Sequence, residues 1–175
     1  MEGFESMKTL AATVQRFGGD DKPFRDVKKA IADCQFYFRG HFRYQLRWSD
    51  ECQDHCLSWA LSDPTDEAFA TQCDHEHPKD CFHCQNLRLI IGGLMSLLES
   101  FKSQLGDIVY DDEKFILEKS YTKILDYKKH CIRAAAQGGS WESLLDSMDE
   151  TMVLVIVDWA MKLVPERYRE TTKQW

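Results

Sequence analysis

"CDHEHPKDCFHC", residues 73–84, places three Cys and three His in twelve positions. The reading of that stretch decides what kind of fold the rest of the chain must build. Thiolates and imidazoles at this density bind a metal, form disulfides or react with oxidants. Cys81 and Cys84 make a C-x-x-C at the start of a long helical pattern, where the turn converges both sulfurs and the helix N-terminus favours thiolate. Cys73, His75 and His77 precede it, and His55 and Cys56 sit on a short helical stretch upstream. A tetrahedral Zn2+ needs four of these. The preferred set is Cys73, His77, Cys81 and Cys84, with Cys56, His55 or His75 able to replace a member or to build a second site. His83, between the two thiols, is expected to point away. Buried cysteines without a metal are a poor account of so many ligands in a polar loop, and a redox C-x-x-C lacks the βαβ surroundings it needs.

Composition agrees with a metal rather than disulfides. The 175 residues are 43% hydrophobic, enough for a real core without covalent staples. The first twenty residues interleave Glu2, Glu5 and Lys8 with apolar positions, so no signal-peptide run is present. No stretch reaches the roughly 18 apolar residues of a membrane span. Seven cysteines, an odd number, then read as reduced thiols in an intracellular protein, nuclear or cytoplasmic.

Charge is unevenly distributed around the cluster. The net charge of -7 argues against nucleic-acid binding along the whole chain. Between residues 22 and 47, however, seven cations face only Asp26 and Asp33, whereas between 50 and 84 nine acids face Lys79 alone. An anionic partner is expected to meet the first block, with Lys28, Lys29, Arg39, Arg43 and Arg47 as candidate DNA-phosphate contacts. The opposing reading is a solvated basic face packed against the chain's own acids.

Hydrophobic periodicity predicts mostly helix. Helices are expected over 4–17, from Pro23 to Gly40, over about 50–63, from about 81 to 105 and from about 111 to 136, the last ended by "QGGS". The last two should form an antiparallel hairpin, with Leu87, Ile90, Ile91, Leu94, Leu98 and Phe101 facing Phe115, Leu117, Tyr121, Leu125 and Ile132. Gly92 and Gly93 predict close packing or a kink. The alternation in "HFRYQLRW" predicts a short half-buried strand or extended segment over 41–47, and "TMVLVIV" (151–157) a strand buried on both sides. One such strand cannot satisfy its own backbone, so the chain is expected to stop at Trp175 inside a domain. Asp158, directly after that strand, is placed either to cap the helix "WAMKLV" or to hold Mg2+ at a strand end.

The blocks "DHCLSWALSDP" (54–64), the Cys/His cluster (73–84) and "VDWAMKLVPERYRETTKQW" (157–175), in that order, resemble a family of uncharacterised transposon-derived proteins. The resemblance covers about the last two-thirds of the chain in scattered blocks. It implies a zinc module at the cluster and an RNase H-like core whose first acid matches Asp158, with Mg2+ in a complete relative. The expected fold is therefore mainly α: a basic helical segment (1–48), a zinc-stabilised Cys/His module (49–86), a helical hairpin region (87–149) and the start of a truncated α/β core (150–175). The expected function is the zinc-binding, DNA-associated N-terminal portion of a transposase-like protein, not catalytic alone. An intracellular zinc-stabilised adaptor that binds protein partners and no nucleic acid is the competing expectation.

Overall fold

The computed structural model describes residues 2–18, 21–46, 51–63, 73 and 75–155. Among the described residues there are seven α-helices: α1 (Glu2–Gly18), α2 (Asp21–Arg39), α3 (His41–Gln45), α4 (Leu57–Leu61), α5 (Phe82–Ser100), α6 (Lys102–Leu105) and α7 (Asp107–Ser147). No strand occurs among the described residues, and none of their helices is long and apolar enough to cross a membrane. The chain divides into two compact units, Met1–Trp141 and Glu142–Trp175.

In the first unit, Phe4, Met7, Leu10, Ala11 and Val14 form one buried stripe on α1, as a 3.6-residue period requires. That stripe packs on α2, whose Ile31, Tyr37 and Phe38 are buried in the same core, with the Phe4 and Phe38 rings 6.1 Å apart. Gly3 is where α1 meets α7: a Cβ there would lie 2.6 Å from the Ser120 carbonyl oxygen. The buried row of α7, including Leu117, Ser120, Ile124, Lys128 and Cys131, recurs every three or four residues. Residues expected to belong to separate segments, from Phe4 through Cys52 and Cys84 to Ile132, share a single core.

Several local expectations give way to tertiary context. His41–Gln45 is a helical turn rather than a strand: Phe42 is buried against Tyr37 and Phe38, and Leu46 N–H bonds to the Phe42 carbonyl. A strand there would have had no partner for its backbone. The single helix expected over about 50–63 is interrupted. Gln53–His55 is a 3-10 turn, Cys56 is extended, and α4 begins only at Leu57. Gly92 and Gly93 sit inside an unbroken α5 with nothing within 4 Å of an added Cβ, so no close packing explains them. The helix expected to end near 136 runs on through Gly138 and Gly139 to Ser147. Phe115, expected to face α5, is 62% exposed. Gly106, at φ 77°, makes the left-handed turn between α6 and α7 that a side chain would resist.

In the second unit, α7 ends at Ser147 and Thr151 donates to the Asp149 carboxylate in a tight turn. Residues 152–155 form no strand, and Val153 and Val155 are exposed. The remainder of the expected 151–157 strand, and Asp158, lie outside the described residues.

Candidate metal centre

Among the described residues, two groups of ligand atoms converge, not one. The first joins Cys56, Cys73, His75 and His77, whose ligand atoms all lie within 4.8 Å of one another. Cys56 enters from the extended link before α4, the other three from positions 73, 75 and 77, none of them in a helix or strand. Cys56 Sγ lies 3.3 Å from Cys73 Sγ and 3.5 Å from His75 Nε2. A tetrahedral ion with metal–sulfur bonds of about 2.3 Å and metal–nitrogen bonds of about 2.0 Å spaces its ligand atoms about 3.3–3.8 Å apart. The rings of His75 and His77 meet edge to face, with centroids 4.6 Å apart.

His77 supplies the test of fit. Both of its ring nitrogens are buried and have no hydrogen-bond partner among the described residues. A buried, unpaired polar nitrogen costs about 1–3 kcal/mol, and a metal bound to it removes that cost. The two thiols of this group differ. Burial would push Cys56 up, but hydrogen bonds from Trp59, Cys73 and Ser58 outweigh it and hold the thiol below its ordinary value. Cys73 is pushed up by burial and by Cys56.

The second group is His55, Cys81 and Cys84, all buried, with Cys84 Sγ 3.9 Å from His55 Nε2. Cys81 is the extended residue that opens α5, and Cys84 is one turn in. A hydrogen bond from Cys84, aided by His55 and Tyr37, holds Cys81 down to about 3 against the opposing effect of burial. The same pairing, together with burial, drives Cys84 up. One thiolate is thus already favoured in the pair, as a metal site requires. Edge-on packing against Phe42 orients His55, while Tyr37 Oη lies 3.4 Å from Cys81 Sγ. His83 belongs to neither group; its ring stacks on Tyr37 at 4.0 Å.

The quartet preferred from the sequence is divided between these groups: Cys73 and His77 fall in the first, Cys81 and Cys84 in the second. The cause lies in residues 55 and 56. Adjacent in sequence, His55 ends the 3-10 turn and Cys56 starts the extended link, so their side chains diverge and each recruits a different part of 73–84. The adjacent His-Cys pair was the available signal that two groups, rather than one, would form. All seven cysteines are free, with no disulfide.

Of the basic block, Lys28, Lys29 and Arg39 lie on α2 and Arg43 on α3. Lys28 donates to Gln15 Oε1, Arg43 lies over the Tyr127 ring, and Lys29 is exposed. Arg39 is exposed beside a cavity of about 580 Å³ that Glu2, Glu5 and Glu113 also line. Arg47 lies outside the described residues. Comparison with protein-family models, with curated proteins and with solved structures found no match.

Proposed function

We propose that this chain is a zinc-binding helical module in which two structural Zn2+ ions fasten residues 51–63 and 73–84 to the helical body. In this reading it is the DNA-associated, non-catalytic N-terminal portion of a transposase-like protein. The observation that carries the metal is the pair of orphaned His77 nitrogens inside a four-ligand group. Thiolate and imidazole without carboxylate favour zinc over Mg2+ or Ca2+. Four protein ligands in the first group leave no open position for substrate, which favours structure over catalysis. The DNA role is supported by the resemblance of residues 54–64, 73–84 and 157–175, and by exposed Arg25, Lys29 and Arg39 on α2. The α5–α7 hairpin and an RNase H-like continuation that begins near Asp158, with Mg2+ in a complete relative, belong to the same proposal.

The adaptor reading is favoured by one observation: Ile108, Val109, Phe115 and Ile116 are exposed near the start of α7. Retention on DNA separates the two. With bound metal confirmed by elemental analysis, the chain should be retained on duplex DNA at low salt and released as salt rises. Charge reversal at Arg25, Lys29 and Arg39 should abolish retention. A metal-loaded chain that ignores DNA at low salt overturns the DNA role, and a reduced chain that binds no zinc overturns the module.

A further inference from the structure

We infer that Cys52 completes the second centre, making a Cys3His tetrad of Cys52, His55, Cys81 and Cys84 for a thiophilic divalent cation. The inference rests on the zinc-binding reading above and adds a ligand outside the set read from the sequence.

The second group is one ligand short of a closed tetrahedral site, so its fourth position belongs either to water or to another side chain. Most neighbours are already committed. Tyr37 Oη donates to Gln45 Oε1 at 2.6 Å. The Asp54 carboxylate is held by Lys128 and Arg88. Cys34 is buried on α2 with the apolar side chains of the core. Cys52 differs from these. It is 5% exposed and shares a cavity of about 450 Å³ with His55 and Cys81.

The backbone explains that placement. A parallel bridge pairs Cys52 with Lys79, and Lys79 N–H bonds to the Glu51 carbonyl at 3.3 Å. Two chain segments therefore run side by side in the same direction, and each turns helical immediately after a cysteine. Cys52-x-x-His55 closes through the His55 N–H on the Cys52 carbonyl at 2.9 Å. Cys81-x-x-Cys84 opens α5 with the Gln85 N–H on the Cys81 carbonyl at 2.9 Å. Two such turns, each presenting ligands at its first and fourth positions, are what a four-ligand zinc site is built from. Cys52 stands outside the group of three that lies within 4.8 Å. Ligation requires the sulfur to turn toward the group by rotation about the Cα–Cβ bond, a change between staggered rotamers open to an unbranched side chain. On binding, the thiols give up their protons to solvent.

X-ray absorption spectroscopy of the full chain loaded with Zn2+ counts sulfur ligands directly. Five sulfurs over two ions are expected, two from Cys56 and Cys73 and three from the second centre. Four sulfurs over two ions overturn Cys52 as a ligand and leave the zinc module standing, whereas no bound zinc overturns both. Cys52→Ala should lose one sulfur and release one ion more readily in chelator competition, by more than the roughly 10–100-fold that outer-shell changes already cost. Cys34→Ala should change neither readout; loss of a sulfur in that variant would assign the ligand to Cys34 and overturn the inference. If Cys52→Ala does not fold, the sulfur count of the unaltered chain decides alone.

Discussion

Lys128, only 1% exposed in the middle of α7, places its ammonium on the carboxylate of Asp54, the residue directly before the metal-group member His55. Arg88 of α5 grips the same carboxylate at 3.0 Å, and the Lys128 ammonium also lies 4.8 Å from the Trp59 ring. One acid thus ties the 3-10 turn that carries His55 to two long helices. Removing one partner of a buried pair strands the other charge and costs about 3–5 kcal/mol.

Asp54→Ala should therefore destabilise the chain by about 3 kcal/mol or more, because it strands Lys128. Lys128→Met keeps the apolar stem and leaves Asp54 with Arg88, so it should cost about 1 kcal/mol. Denaturant melts of the two metal-loaded variants check the order; equal losses would show that the pair does not anchor the turn.

Among the histidines, His77→Ala should eliminate one bound ion and expose residues 51–63 and 75–81 to protease, whereas His83→Ala should keep both ions. A structural zinc contributes about 10–16 kcal/mol of apparent binding free energy, comparable with a whole domain's net stability. The stacking lost with His83 is worth about 1 kcal/mol. Metal content by elemental analysis reads the difference.

At high pH the buried Cys34 thiol should weaken the fold. Burial raises its pKa from 9.0 to about 12. The folded state holds the proton more tightly than the unfolded chain, so this contribution is complete below pH 9.0 and is lost as pH rises toward about 12. Stability of Cys34→Ala should fall less steeply across that window than that of the unaltered chain. Parallel curves from thermal melts at stepped pH would refute the assignment.

Gly3→Ala forces a Cβ to 2.6 Å from the Ser120 carbonyl oxygen, an immobile backbone atom of α7. A loss of about 1–3 kcal/mol is expected, with both metals retained. Gly92→Ala, which meets nothing within 4 Å, should instead stabilise α5 by up to about 1 kcal/mol.

Periodic apolar spacing determined that the chain is helical, since Phe4, Met7, Leu10 and Val14 lie on one face of a helix whatever packs against it. The density of Cys and His between 73 and 84, with His55 and Cys56 upstream, determined which side chains are candidates to hold metal. Only the tertiary structure decided how they group. Sequence distance makes Cys73, His77, Cys81 and Cys84 neighbours, but the divergence of His55 from Cys56 and the bridge of Cys52 to Lys79 sort them into two separate groups. The turn at 41–45 was likewise decided by long-range packing. Period-2 alternation there reads as strand, yet Phe42 finds its place against Phe38 and His55, and a helical turn closes its backbone bonds with no partner strand. Local pattern fixes which face of an element is apolar, whereas the direction of a side chain from an irregular turn depends on dihedral angles that distant contacts set.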